Sequence, residues 1–209
     1  MTHDLIAEFR RARVVPVIRT STAAHAMIAV EWLREAGFRI FEVTMTVPDA
    51  PALMRELAAD PDLLVGAGTV PDVDAARACL DAGARFLVTP WVDPTVIAVT
   101  REAGALPLPG TMTPTEIRAA VAAGAEAVKI FPAASAGGPG HVKALRAVFP
   151  RLPFCPTGGV DASNAPDYLD AGADFVGMGG KLVDEKRIAA GDKAAILRAA
   201  RDSLGLMQA

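Results

Sequence analysis

One short signature recurs along this chain: a helical pattern ends in Ala-Gly, and a short apolar run follows at once. The glycines of these pairs are Gly37, Gly83, Gly104, Gly124 and Gly172. A glycine placed directly after a helix is the left-handed cap that ends it. Prolines close helices at two further boundaries, within 60–62 and 150–153. The chain therefore repeats one helix–strand unit, and that repeat constrains its architecture.

The repeat predicts eight short strands that alternate with helices. The predicted strands are 14–18, 38–44, 63–67, 85–89, 106–109, 127–131, 154–156 and 174–178. Apolar strands between amphipathic helices indicate a parallel sheet that is covered on its outer face. Eight such units predict an α/β fold, the (β/α)8 TIM barrel, with a doubly wound open sheet as the alternative. Residues 2–12 read as an extra N-terminal helix, and residues 1–209 as a single domain.

Composition excludes several classes of protein. The chain has 209 residues, 52% of them hydrophobic, and a net charge of −3 without a basic block, so we expect no nucleic acid partner. No apolar run approaches the roughly 18 residues of a membrane span, and the N-terminus is not a signal peptide, which predicts a cytoplasmic protein without a membrane partner. The cysteines and histidines show no metal-ligand spacing, so we predict neither metal nor cofactor.

Lys129 interrupts the apolar strand 127–131. In barrels of this kind the chemistry lies at the carboxyl ends of the strands, and Lys129 is near such an end. Burial disfavours the charged ammonium, and a neutral lysine amine is a nucleophile for carbonyl carbon. The alternative is a lysine that faces outward and pairs with a helix carboxylate. A neighbouring glutamate and glycine-rich turns favour Schiff-base chemistry.

Glu42 is the glutamate in question. Strand alternation places it on the same side as Ile40 and Thr44, and if that side is the interior it can approach Lys129. Carbinolamine formation and collapse need a group that gives and takes protons, and a carboxylate beside an amine meets that need. A structural salt bridge between the same two residues is the alternative interpretation.

Two glycine-rich turns end strands seven and eight. Thr157-Gly158-Gly159 and Gly177-Met178-Gly179-Gly180 let backbone N–H groups approach an anion, and barrels often bind phosphate with these two loops. We expect the helix that follows the first turn to begin at about 162–164 and to point its positive end at the anion. Arg19, at the end of strand one, is either a carboxylate clamp or a surface arginine.

Seven segments carry a resemblance to a known family, the 2-keto-3-deoxy-6-phosphogluconate (KDPG) and 4-hydroxy-2-oxoglutarate (KHG) aldolases. They are Val15-Pro16-Val17-Ile18-Arg19, Phe41-Glu42-Val43-Thr44, Val65-Gly66-Ala67-Gly68-Thr69-Val70, Val88-Thr89-Pro90, Pro109-Gly110-Thr111-Met112-Thr113-Pro114-Thr115-Glu116, Val128-Lys129-Ile130-Phe131-Pro132 and Pro156-Thr157-Gly158-Gly159-Val160. The resemblance covers nearly the whole chain and implies a class I aldolase on a (β/α)8 barrel, usually a homotrimer, that acts on a small 2-keto acid and releases pyruvate.

The resemblance also implies roles for individual residues. Lys129 matches the Schiff-base lysine and Glu42 the general acid/base. The substrate-lining positions are Thr69, Thr157, Pro90 and Phe131, the last two beside pyruvate, with Gly158, Gly159, Gly179 and Gly180 at the phosphate end. The implied reaction is reversible cleavage of KDPG to pyruvate and glyceraldehyde 3-phosphate, without a metal.

Two positions depart from part of the family pattern. Thr46 stands where several members carry an arginine for the substrate carboxylate, and Arg19 is the expected replacement. Gly180 stands where many members carry a serine that touches phosphate. KHG and the 6-phosphogalactonate epimer therefore stay open as substrates. A phosphate-binding barrel isomerase would need a second carboxylate or a cysteine opposite Glu42, and a non-catalytic assembly scaffold on the same fold is the remote alternative.

Overall fold

The computed structural model describes residues 2–205, in which parallel strands form a curled sheet surrounded by helices. The strands β1 to β9 are Val14–Ile18, Ile40–Thr44, Leu64–Gly68, Phe86–Val88, Leu106–Leu108, Gly110–Thr111, Val128–Ile130, Phe154–Pro156 and Val176–Met178. The helices α1 to α10 are Thr2–Ala12, Ala23–Ala36, Ala50–Ala58, Val73–Asp81, Pro94–Glu102, Pro114–Ala122, Gly138–Val148, Ala165–Asp170, Glu185–Ala189 and Lys193–Gly205.

Each predicted strand has a counterpart, but the fifth is divided. Leu106–Leu108 pairs with β4, Gly110–Thr111 pairs with β7, and Pro109 lies between them. Proline has no N–H to donate to a sheet ladder, whereas the Pro109 carbonyl accepts a bond of 3.0 Å from the N–H of Lys129. The predicted strand therefore changes its neighbour at a residue that cannot continue the ladder.

The strand order describes a ring rather than a doubly wound sheet. One sheet runs β5-β4-β3-β2-β1-β9, so the first strand pairs with both the second and the last, and the other runs β6-β7-β8. An isolated bridge between Thr157 and Gly177 joins the two sheets. The architecture is TIM-barrel-like, but the hydrogen-bond ladders between its strands do not close into one continuous ring. The prediction of a closed (β/α)8 barrel is therefore confirmed only in part.

Helix starts and stops follow the local sequence. Thr22, Asp72, Asp93 and Thr113 accept bonds from N–H groups in the first turn of α2, α4, α5 and α6, and Thr113 forms a capping box with Glu116. The glycines of all five Ala-Gly pairs have positive φ, as the left-handed cap requires. The repeat thus marks the points where helices turn back to the sheet.

Helix α1 covers the amino-terminal end of the sheet interior. The ring of Phe9 stacks on Phe175 at 4.8 Å and meets the edge of Phe86 at 5.0 Å, while Leu5 and Ile6 join the same buried cluster. Burying each such side chain stabilises the fold by about 2 kcal/mol. Apolar side chains thus fill the interior of the sheet beneath α1. Among residues 2–205, every helix falls short of the length and apolarity that a membrane span needs.

Candidate active site

Strand alternation brings three charged side chains into one cavity at the carboxyl ends of the strands. Arg19, Glu42 and Lys129 line a space of about 290 Å³, on the same faces as the interior residues Val15, Ile40 and Ala127 of their strands. The cavity is further lined by Val17, Phe131, Thr157, Gly158, Gly159, Val160, Asp161, Gly177, Gly179, Gly180 and Lys181. Most of the predicted site residues therefore lie around one small pocket.

Lys129 is buried, with only 4% of its surface exposed. Its strand neighbours are Gly110 on one side and Cys155 on the other, and its Nζ lies 4.3 Å from the ring centroid of Phe131. An aromatic face stabilises a nearby cation, and the ring also shields the amine from water. The lysine therefore points into the pocket and not, as the alternative required, toward a helix on the outer surface.

Glu42 is equally buried and lies close enough to Lys129 to be influenced by its charge. Burial raises the pKa of Glu42 above its ordinary value of 4.5, while the positive charges of Lys129 and Arg19 act in the opposite direction. The carboxylate occupies space that a side chain on Gly68 would fill. A carboxyl group with a raised pKa holds its proton more firmly than an exposed one and can take and return a proton, which is the requirement for general acid/base catalysis.

Arg19 is fixed by two threonines. Its Nη1 donates to Thr46 Oγ1 at 3.0 Å and its Nη2 donates to Thr69 Oγ1 at 2.8 Å. Thr69 has φ of 56°, a left-handed conformation that costs energy for a β-branched residue. The guanidinium thus lies beside Thr46, and the strained Thr69 directs its hydroxyl oxygen at it.

The two glycine turns present unused backbone donors. Within residues 2–205, the N–H groups of Gly158, Gly159, Gly179 and Gly180 make no hydrogen bond to the protein. Gly158 and Gly159 both have positive φ, at 94° and 76°. Glycine adopts this conformation without strain because it has no Cβ, so a larger residue would be strained at either position. Free N–H groups at neighbouring loops are the donors that an anion needs.

Cys155 shares the interior with these groups, and its buried thiol is free but not ionised at neutral pH. Burial raises the pKa of its thiol to about 12, with a smaller opposing effect from the hydrogen bond to Thr157. The two side chains lie 3.6 Å apart between Sγ and Oγ1. The thiol is therefore protonated at neutral pH and acts as an apolar neighbour of Lys129.

Two predicted site residues lie beside the cavity lining rather than in it. Pro90 lies against Gly110, one strand away from Lys129, and Thr69 contacts the lining residue Arg19. Helix α8 begins at Ala165, because Asp161, Ser163 and Asn164 form a hydrogen-bonded turn before it. The first helical N–H groups therefore follow the glycine turn later than the sequence indicated.

Sequence reasoning missed two charged residues of the pocket. Lys181 and Asp161 line the cavity and form an ion pair of 2.9 Å between Nζ and Oδ2. Both follow glycine turns that had been interpreted only as backbone cradles, and Lys181 comes directly after Gly180. The position of a charged residue next to a strand-end glycine was the available signal.

Other parts of the described chain form less complete candidate sites. A larger cavity of about 570 Å³ lies between α1 and the amino-terminal ends of the strands, far from Lys129 in the sheet. Within residues 2–205, no group of three or more His, Cys, Asp and Glu side chains is placed to hold a metal ion. The pocket around Lys129 is therefore the best-developed candidate site.

An amine and a proton-accepting carboxylate in one small cavity can together make and break bonds next to a carbonyl carbon, as aldehyde-lyases do. Comparison with known proteins identifies the family. The family model for KDPG and KHG aldolases matches residues 5–199, and the chain belongs to this family.

Individual relatives agree over nearly the full length. The chain is 34% identical over 197 residues to the 2-dehydro-3-deoxy-phosphogluconate aldolase of Pseudomonas aeruginosa, covering 93% of this chain and 89% of that protein. It is 38% identical over 173 residues to the probable 2-dehydro-3-deoxy-6-phosphogalactonate aldolase of Rhizobium meliloti, covering 81% of each. The crystal structure of KDPG aldolase from Legionella pneumophila, with pyruvate captured as a covalent carbinolamine, superposes with a TM-score of 0.86 at 32% identity, over 93% of this chain and 95% of that one.

Proposed function

We propose that this aldolase cleaves KDPG to pyruvate and glyceraldehyde 3-phosphate through a Schiff base on Lys129, with Glu42 as general acid/base. The observation that carries the proposal is the pairing of a buried amine with a buried carboxyl group of raised pKa in one cavity. The carbinolamine that pyruvate forms in the Legionella pneumophila relative supports a nucleophilic amine in this family.

The first half-reaction uses the proton that the two groups share. Transfer of a proton from the Lys129 ammonium to Glu42 leaves a neutral amine beside a neutral acid. The amine attacks the C2 carbonyl carbon and gives a carbinolamine. Glu42 then protonates the departing hydroxyl, water leaves, and a cationic iminium remains next to the Glu42 carboxylate.

The second half-reaction breaks the carbon–carbon bond. Glu42 takes the proton from the C4 hydroxyl, the C3–C4 electron pair moves into the iminium, and the aldehyde leaves an enamine on Lys129. Glu42 returns its proton to C3, and water then hydrolyses the pyruvate iminium, which restores the neutral amine and the protonated acid. Arg19, held by Thr46 and Thr69, is placed to bind the substrate carboxylate in a charge-assisted hydrogen bond.

The remaining residues of the pocket are suited to the pyruvate end and the phosphate end of the substrate. Phe131 covers the pyruvate end beside Lys129, and Thr157 lines the pocket between Lys129 and the glycine turns. The free N–H groups of Gly158, Gly159, Gly179 and Gly180 are suited to a phosphate. The 38% identity to the Rhizobium meliloti relative makes 2-keto-3-deoxy-6-phosphogalactonate a second candidate, and the missing hydroxyl at Gly180 keeps KHG a third.

Reductive trapping tests the proposal. Incubation with pyruvate and borohydride should add one reduced pyruvyl group, which peptide mass spectrometry should locate on Lys129. Lys129→Met should abolish the adduct, and Lys143→Met, at an exposed position on α7, should leave it unchanged. Lys181 is the other lysine of the cavity, so an adduct there, or none at all, overturns the mechanism.

We also infer the setting in which the enzyme works. The eight predicted units are proposed to act as one closed (β/α)8 barrel over residues 1–209, with α1 across its lower end. A homotrimer in the cytoplasm is the proposed assembly, supported by the large apolar side chains of Trp91 and Met112, which are 51% and 41% exposed in the single chain. Light scattering that returns the monomer mass would contradict the trimer.

A further inference from the structure

Lys181 and Asp161 form the far wall of the catalytic cavity. The Lys181 side chain is 79% exposed, and its Nζ lies 2.9 Å from Asp161 Oδ2. Both residues also line an adjoining cavity of about 360 Å³, so the ion pair stands between the two spaces. Neither residue belongs to the chemistry at Lys129.

The two partners differ in how many bonds hold them. Asp161 is fixed, because its Oδ1 accepts bonds from the N–H and the hydroxyl of Ser163, and its own N–H donates to Asn164 Oδ1 at 2.9 Å. Those bonds and the Lys181 charge lower the pKa of Asp161 to about 2, so it is a carboxylate under all ordinary conditions. Lys181 contributes a long, exposed side chain that can exchange partners.

The ion pair borders the unused N–H groups of the glycine turns. Lys181 follows Gly180 directly, and Asp161 is two residues beyond Gly159. An anion bound by those N–H groups would share the cavity with the Lys181 ammonium, an opposite charge, and with the Asp161 carboxylate, a like charge. An exposed ion pair contributes little to stability, so an incoming anion can take Lys181 from Asp161 at small cost.

We propose that Lys181 determines the charge specificity of this enzyme: it binds the distal anion of the substrate, and Asp161 positions it and competes for it. The inference rests on the proposed aldolase function and extends it to the end of the substrate remote from the carbonyl. The ligand chemistry is a phosphate or carboxylate at the end of a 2-keto-4-hydroxy acid. A substrate with an uncharged end gains nothing from Lys181 and leaves the ion pair intact.

The test compares three substrates that share the reacting end and differ at the other. KDPG carries a distal phosphate, KHG a distal carboxylate, and 2-keto-3-deoxygluconate no distal charge. Pyruvate release is measured for the wild type, Lys181→Met, Asp161→Asn and the control Lys143→Met. The Asn variant keeps the oxygen that accepts from Ser163 and removes only the negative charge, so the turn before α8 should persist.

The expected result is opposite shifts in KM. Lys181→Met should raise KM for the anionic substrate about tenfold, as loss of a charged hydrogen-bond partner does, with kcat nearly unchanged. Asp161→Asn should lower that KM by roughly two- to fivefold, the effect of an exposed ion pair. KM for the uncharged substrate should stay constant throughout. An effect confined to KDPG identifies a phosphate site, and one confined to KHG a carboxylate site.

Three results overturn the inference. The first is that KM stays unchanged in both variants. The second is that KM shifts in the same direction in both variants, and the third is that KM shifts equally for the uncharged substrate. The second and third results would indicate that the ion pair is merely structural. Pyruvate trapping on Lys129 is measured on the same samples. If trapping succeeds and KM does not respond, only the role of Lys181 fails; if the wild type neither traps pyruvate nor cleaves any substrate, the proposed function fails with it.

Discussion

Gly68 makes room for Glu42. A Cβ built on Gly68 would lie 2.7 Å from Cδ of Glu42 and 2.8 Å from its Cγ, and closer still to Oε1. Contacts of that length do not occur between real side chains, so the carboxyl group could not stay where it is beside a residue larger than glycine. The position of the proposed acid/base therefore depends on the absence of a side chain on the neighbouring strand.

Gly68→Ala should displace the Glu42 carboxyl group and lower kcat about 100-fold, the cost of misplacing a catalytic group by about 1 Å. The rate of pyruvate release at saturating substrate concentration measures this kcat. Gly140→Ala is the matched control: a Cβ there meets nothing within 4 Å, and its helical position should make the variant more stable by about 0.5–1 kcal/mol. Equal activity of the two variants would contradict the steric argument.

Substitution of Thr69 should change the stability of the fold and the KM in ways that can be measured separately. Thr69→Gly removes a left-handed β-branched residue and should stabilise the fold by about 1 kcal/mol, while it deletes an acceptor of Arg19 and should raise KM several-fold. Thr69→Ser keeps the hydroxyl and should retain the wild-type KM. Urea unfolding and steady-state kinetics together check both parts. A glycine variant that is less stable than the wild type would show that Thr69 is not strained.

Both cysteines should be inert in the folded protein. Burial raises the pKa of each thiol to about 12, and only the thiolate reacts with iodoacetamide. We expect no alkylation of Cys79 or Cys155 at pH 8 in native protein and rapid alkylation of both in urea. Fast modification of Cys155 in the native state would mean that the pocket admits reagent and water to the interior beside Lys129.

The repeat and strand alternation were sufficient to predict which strands exist and which faces meet. Ala-Gly pairs marked helix ends, and alternation put Glu42 on the same side as Ile40, because both signals depend on local geometry that the residues themselves impose. Which side faces the interior became clear only in the structure. The division of the fifth strand at Pro109 was visible as a proline, but its consequence depends on which strands lie on either side.

Contacts between loops were not predictable in the same way. Lys181 and Asp161 come from turns after different strands, and their pairing depends on how two loops approach each other across the barrel mouth. The contact of Arg19 with Thr46 is a similar case, since it depends on the distance between two strand ends. The sequence pattern identifies the strand ends that carry polar residues. Which of these residues share a pocket depends on the length and direction of their side chains.

The pH dependence of stability should reveal the burial of Glu42. Its pKa in the folded protein lies above 4.5, so as pH rises the unfolded chain loses this proton first. Between the unfolded and folded values the native state binds more protons, and stability falls with pH by up to about 1.4 kcal/mol per unit. The contribution is fully present below pH 4.5 and is lost as pH rises through the folded pKa.

Urea unfolding of the wild type and Glu42→Gln from pH 4 to 8 measures this effect. The free energy of unfolding of the wild type minus that of the Gln variant should fall as pH rises. Glu116→Gln is the control with the opposite sign: hydrogen bonds from the Met112 and Thr113 N–H groups lower the pKa of Glu116, so that difference should increase as pH rises toward and past 4.5. A constant difference for Glu42 would mean that the cations Lys129 and Arg19 fully offset its burial, and the carboxyl group would then be too acidic to hold the proton that the proposed reaction requires.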